Sequence, residues 1–146
     1  MSMAERTIQT TWEGRLASGE GRLSGGSSGA LDRLRVTWAS RTEHPDGKTS
    51  PEELAAAAHS SCFAMALALK LGEKNTSPER LDVRCTVTLD AVDGLPTIAT
   101  SQLKIRAKVA ELDEDAFAAV VDEAAVLCPM SRLFAGAEIS IDAQLV

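Results

Sequence analysis

Between Ser50 and Gly72 the chain carries one long apolar helix, and the rest of the sequence has to be arranged to cover it. The start is marked three times: Ser50 suits the N-cap, Pro51 the first helical position, and Glu53 the third, completing a capping box. An alanine-rich stretch then runs to Leu71, and Gly72 suits the left-handed residue after the end. At about 1.5 Å per residue this helix is roughly 30 Å long. It is apolar almost all round, so its expected place is the centre of the fold. His59, Ser60 and Ser61 interrupt its most apolar part, which favours a buried helix over a membrane span.

Strand patterns surround it. Residues 7–14 alternate, with Ile8, Thr10 and Trp12 on one face, and residues 34–38 read as a further strand before a polar loop over 40–47. Val83, Cys85, Val87 and Leu89 alternate with polar residues, as do Leu103, Ile105, Ala107 and Val109, and residues 138–146 give a last strand. A second helix is expected from an Asp113 N-cap to Leu127, where Pro129 ends it and opens a short helix through Leu133. Strands with two interspersed helices, without regular βαβ repeats, imply an α+β fold with a largely antiparallel sheet. Gly19-Glu20-Gly21 is no nucleotide fingerprint, because no strand-then-helix context surrounds it.

With 146 residues, 45% of them hydrophobic, the chain is sized for one domain over residues 1–146 with an ample core. Aromatics are only 3%, so Ala, Leu, Val and Ile must build that core. A net charge of −6 argues against nucleic acid and anionic membrane partners, since both need a basic surface. No secretory pattern opens the sequence, so a cytoplasmic location is expected, where cysteines stay reduced. Three cysteines cannot all pair within the chain, so any that matter do so as reactive thiols.

Cys85 lies in phase with the apolar face of its strand and reads as a small core residue. Cys128 sits in Leu127-Cys128-Pro129-Met130-Ser131. It is either a buried cysteine at a helix break or a thiolate held by the free N–H groups of the helix that Pro129 opens. Cys62 lies about three turns into the long helix, where burial would raise its pKa and leave it inert unless a cation reaches it. His59 shares a face with Cys62, which permits a Cys–His or metal-ligand pair. With no second ligand pair at metal spacing, a hydrogen-bonded core histidine is the better reading, and no metal or cofactor is expected.

At this point the residues resemble a known family. Thr49-Ser50-Pro51-Glu52-Glu53-Leu54, followed by Ala57-Ala58-His59-Ser60-Ser61-Cys62-Phe63-Ala64-Met65-Ala66, is similar to the central-helix signature of the OsmC family. Cys128-Pro129-Met130-Ser131 resembles its second cysteine motif, and Trp12-Glu13-Gly14 with Gly19-Glu20-Gly21 its N-terminal hairpin. The resemblance implies an OsmC-like fold in an intertwined homodimer. It implies a thiol peroxidase of oxidative and osmotic stress defence, reducing organic hydroperoxides and hydrogen peroxide. Cys62 would attack the peroxide and become a sulfenic acid, Cys128 would resolve it to a disulfide, and an external dithiol, in the related Ohr group a lipoyl protein, would restore both thiols. The family's arginine and glutamate fall on Arg41 and Glu52, with Arg15 or Arg22 the alternatives if the chain followed the Ohr arrangement.

Geometry adds a constraint. Glu52 and Cys62 are ten residues apart on one helix, roughly 15 Å along its axis. Either the Glu52 serving Cys62 belongs to the other subunit, or the helix breaks near His59. Two other functions compete: a general thiol–disulfide oxidoreductase, weakened by the lack of Cys-x-x-Cys, and a non-catalytic dimeric module that senses redox state or binds an apolar ligand.

Overall fold

The computed structural model describes residues 1–146, which divide into two compact units, Met1–Leu54 and Ala55–Val146. In the first, β1 (Gln9–Glu13), β2 (Glu20–Ser24) and β3 (Arg35–Val36) form an antiparallel sheet in that order. The β1–β2 hairpin closes through Gly14, at φ 93°, a conformation that favours glycine. At Gly19 an added Cβ would fall 2.4 Å from the Glu13 carbonyl oxygen, so the tight return of the chain excludes a side chain there. The strand expected over residues 34–38 is cut to two residues, because α1 (Trp38–Thr42) begins where it should have continued. Thr37 and Ser40 cap each other's backbone and nucleate that turn, a box that the reading of residues 40–47 as loop overlooked.

α2 (Pro51–Glu73) is the long helix, unbroken throughout. Ser50 Oγ accepts from the Glu53 amide at 3.1 Å, as its N-cap role requires. The Glu53 carboxylate accepts from the Thr49 hydroxyl at 2.6 Å rather than closing the box on Ser50. The helix runs past Gly72. Asn75, at φ 57°, takes the left-handed position instead, with Thr76 N–H bonded to Leu71 and Asn75 N–H to Gly72, a Schellman ending.

In the second unit β4 (Pro78–Val92), β5 (Leu95–Val109) and β6 (Glu138–Leu145) form a three-stranded sheet in sequence order. β4 and β5 are antiparallel, joined by Asp93-Gly94 with both φ positive (53° and 78°), the pair a tight hairpin needs. β6 pairs parallel to β5, so the sheet is mixed rather than wholly antiparallel. The return from β5 to β6 is made by α3 (Glu114–Leu127), capped by Asp113 as expected, and α4 (Pro129–Leu133).

The core of this unit gathers Phe63, Ala66, Leu67 and Leu71 of α2, Leu103, Ile105 and Ala107 of β5, and Phe117, Val120, Val121 and Ala124 of α3. Fully burying a Phe or Leu side chain contributes about 1.5–3 kcal/mol, so this cluster dominates the stability of the unit. α2 gives the core only one stripe. Met65 is 72% exposed and Leu69 54%, on a helix whose composition anticipates burial all round. A single sheet and α3 can cover one side of a helix, and the other side of α2 has no partner within its own unit. The solvent-facing Met65 and Leu69 therefore form an unsatisfied apolar strip.

Candidate active site

α3 ends at Leu127 and α4 starts at Pro129, so Cys128 is both the C-cap of one and the N-cap of the other. Its side chain is fully buried and turns away from the start of α4, making no cap hydrogen bond. It turns toward α2, where its sulfur lies 3.5 Å from Cys62 Sγ. The fold thus brings together two cysteines far apart in sequence, both as free thiols. They differ in access, since Cys62 is half-buried and Cys128 has no exposed surface.

The backbone amide of Met130, in the first turn of α4, acts on Cys62 and favours its thiolate. Sequence reasoning placed the stabilising amides of α4 on Cys128, the residue next to them in the chain. Across the fold, the Met130 amide acts on the other thiol. Burial pushes the Cys62 thiol above the ordinary cysteine value, the Met130 amide pulls it back, and Cys128 pushes it up again, because two thiolates cannot share so small a space. The upward influences win, so Cys62 needs a cation to become a ready nucleophile.

Arg41 of α1 donates from Nε to both carboxylate oxygens of Glu52, at 3.0 and 3.1 Å, and from Nη2 to Oε1 at 2.7 Å. Glu52, in the first turn of α2, is 11% exposed and Arg41 30%. None of these bonds uses Nη1, which leaves that group free to donate elsewhere. Of the alternative arginines, Arg22 is 63% exposed and its nearest carboxylate is Glu20 at 3.9 Å, while Arg15 sits in the exposed β1–β2 turn. Arg41 is therefore the arginine paired with Glu52. α2 does not break near His59, so that alternative for the spacing of Glu52 and Cys62 is removed.

His59 is fully buried on α2, one turn before Cys62. Nδ1 lies 2.6 Å from Ser101 Oγ of β5, Nε2 lies 2.8 Å from Ser131 Oγ of α4, and the ring meets Phe134 edge-on at 5.1 Å. Ser60 and Ser61, the other polar interruptions, return their hydroxyls to the Ala57 carbonyl within the helix. Cys85 packs against the core with its sulfur 3.3 Å from Ser101 Oγ, in keeping with a core cysteine. Ser101 was missed at the sequence level, although it stands in phase with Leu103, Ile105 and Ala107. A lone serine on an apolar strand face is the signal that could have revealed it.

Burial holds the His59 pKa below the ordinary histidine value. The unfolded chain therefore takes up a proton that the folded imidazole refuses. This contribution to stability is complete above the usual histidine pKa and is lost as pH falls below it. Thermal melts are expected to show a falling midpoint with one extra proton bound on unfolding, and His59→Gln to remove that proton. An unchanged proton uptake in the variant would contradict the assignment.

The family described as OsmC-like protein matches residues 44–144. Over 137 residues, 94% of each chain, the sequence is 39% identical to peroxiredoxin OsmC of Escherichia coli (strain K12), and equally to that of Shigella flexneri. Among solved structures, the organic hydroperoxide resistance protein OhrB of Bacillus subtilis superposes with a TM-score of 0.75 at 23% identity, covering 99% of this chain and 100% of its own. An organic hydroperoxide resistance protein OsmC from Legionella pneumophila gives 0.70 at 20% identity, covering 99% and 98%. The structural likenesses establish a shared α+β fold, and the extent of the sequence matches establishes kinship: this chain is a member of the OsmC-like family.

Proposed function

We propose that this chain is a thiol peroxidase that reduces organic hydroperoxides, and hydrogen peroxide as well, acting as one OsmC-like domain within a homodimer. The observation that carries the reading is the 3.5 Å approach of Cys62 and Cys128, in a chain 39% identical to a protein named a peroxiredoxin. Difference in access supports the division of labour, since an attacking thiol must meet its substrate and a resolving thiol need meet only its partner.

In the first step the Cys62 thiolate attacks the distal peroxide oxygen. The O–O bond breaks, the alkoxide leaves and takes a proton to become the alcohol, and Cys62 becomes a sulfenic acid. Cys128 then attacks the Cys62 sulfur, expelling water and closing a disulfide. The sulfurs must approach by about 1.5 Å to reach the usual S–S length near 2.05 Å, a small local movement. An external dithiol, such as a lipoyl group on a protein, restores both thiols by two exchange steps and is itself oxidised to a disulfide.

Arg41 supplies the missing cation. Its Nη1 is free to donate to the peroxide and its charge favours the Cys62 thiolate, while Glu52 fixes the guanidinium plane. An unbroken α2 separates Glu52 from the Cys62 of its own helix, so the pair serving each Cys62 is Arg41 and Glu52 of the partner subunit. The exposed apolar strip of Met65 and Leu69 supports the dimer that this requires.

The test is stopped-flow consumption of cumene hydroperoxide in the presence of dihydrolipoamide. Wild type and Cys85→Ser are expected to turn over at similar rates, because Cys85 takes no part. A wild-type protein with no turnover on either cumene hydroperoxide or hydrogen peroxide would reject the reading.

A further inference from the structure

The two thiols stand on separate elements, and hydrogen bonds from one buried side chain link those elements. His59 is on α2, one helical turn before Cys62, and Ser131 is on α4, three residues after Cys128. The His59 imidazole lies 2.8 Å through Nε2 from Ser131 Oγ and 2.6 Å through Nδ1 from Ser101 Oγ of β5. The same ring meets Phe134, the residue that caps the far end of α4, edge-on at 5.1 Å and 85°. One imidazole therefore touches the middle and the far end of α4 and ties it to the sheet.

The polar atoms form a complete chain. Cys85 can donate its S–H to Ser101 Oγ at 3.3 Å, Ser101 can donate its O–H to His59 Nδ1, and His59 Nε2–H then donates to Ser131 Oγ. No buried side-chain nitrogen or oxygen is left without a partner, so the histidine gains nothing by rotating. What α4 presents to Cys62 depends on where this chain holds it. The Met130 amide, which favours the Cys62 thiolate, lies between Cys128 and Ser131 in sequence.

We infer that His59 is a positioning residue for the thiol pair: its Nε2 bond to Ser131 holds α4 so that the Cys128 sulfur stays 3.5 Å from the Cys62 sulfur. The role deepens the peroxidase reading, yet the geometry it concerns is that of two thiols, whatever oxidises them. His59 acts through α4 and touches neither the peroxide nor the reacting sulfurs.

Two amide substitutions separate this role from simple core filling. Glutamine places an amide nitrogen near the position of Nε2, asparagine near that of Nδ1. His59→Gln keeps the bond to Ser131, whereas His59→Asn keeps only the bond to Ser101. Both put a polar amide into the same buried space, so a purely structural histidine predicts similar behaviour for the two.

The measurements are the rate of Cys62–Cys128 disulfide formation with diamide and the pH profile of Cys62 alkylation by iodoacetamide, both resolved by residue with mass spectrometry. Diamide takes up the two hydrogens that the thiols lose, so disulfide closure is followed without any peroxide. His59→Gln is expected to stay close to wild type. His59→Asn and Ser131→Ala are expected to close the disulfide on the order of tenfold more slowly, with the alkylation profile displaced to higher pH.

Ser131→Ala removes one hydroxyl from a partly exposed position, so it decides the matter even if the His59 variants fail to fold. Wild-type closure and profile in Ser131→Ala would overturn the proposal, as would equal losses in a folded His59→Gln and His59→Asn. Because diamide replaces peroxide, a wild type inactive on hydroperoxides would reject the peroxidase reading and leave these differences standing. Full turnover with no differences among the variants would do the reverse.

Discussion

Replacing Cys62 by serine is expected to abolish hydroperoxide consumption, a loss on the order of a thousandfold or more, since an alcohol is a far weaker nucleophile than a thiolate at neutral pH. Replacing Cys128 should do something different. Cys62→Ser fails at the first step, whereas Cys128→Ser still attacks one peroxide and then stalls, because no sulfur stands 3.5 Å away to condense with the sulfenic acid. Excess peroxide then drives Cys62 on to the sulfinic acid. Intact-mass spectrometry after one equivalent and after a large excess of peroxide separates the two. Cys62→Ser should gain no oxygen at Cys128, and Cys128→Ser should gain two at Cys62. Oxygen added to Cys128 while Cys62 remains a thiol would reverse the assignment.

The second large effect concerns Arg41. Its removal takes away the one cation assigned to a thiol that burial pushes toward the neutral form. Arg41→Ala should lower the peroxidase rate by roughly 10²–10³-fold, the usual cost of removing one electrostatic partner from a reacting centre. Arg41→Lys should recover little, because the bond to Glu52 uses two donors on one edge of a planar guanidinium. The origin of the arginine can be read by mixing. Cys62→Ser and Arg41→Ala subunits are each inactive alone, but a dimer of one with the other holds one complete site if Arg41 crosses between subunits. Random exchange of equal amounts should restore about a quarter of wild-type activity. No recovery in a mixture shown to contain mixed dimers would mean that Arg41 does not act across the interface.

How far these features could be read from the chain depended on what kind of group carried them. The start of α2 was legible because Ser50 and Pro51 are side-chain signals acting locally. Its end was not, since Gly72 tolerates helical geometry and Asn75 offered the left-handed position three residues later. β4 and β5 were found but read too short. Register shifts between Pro78 and Arg80 and between Thr88 and Leu89 interrupt the alternation on which the reading relied. The Asp93-Gly94 turn that joins the two strands was a signal present in the sequence and not used.

For the proposed site, Cys128 could be singled out by its place before Pro129, whereas Cys62, Arg41 and Glu52 were named through the resemblance of the motifs around them. The Met130 amide could not be named, because a backbone N–H has no residue type to betray it. Its target lies on another helix, a relation that exists only after folding. His59 was read as a hydrogen-bonded core histidine, and its two serine partners confirm the bonding. That they tie α4 to the sheet is a fact of topology.

On the proposed cycle, the complete burial of Cys128 also dictates how the oxidised protein would be reset. Once the disulfide has formed, only the Cys62 sulfur faces outward. An incoming dithiol must attack there, with Cys128 as the leaving group. Oxidant and reductant therefore arrive through the same doorway and cannot occupy it together. Turnover on the proposed cycle is alternating by construction, and a reductant too bulky to enter where the peroxide entered would leave the protein locked after a single catalytic event.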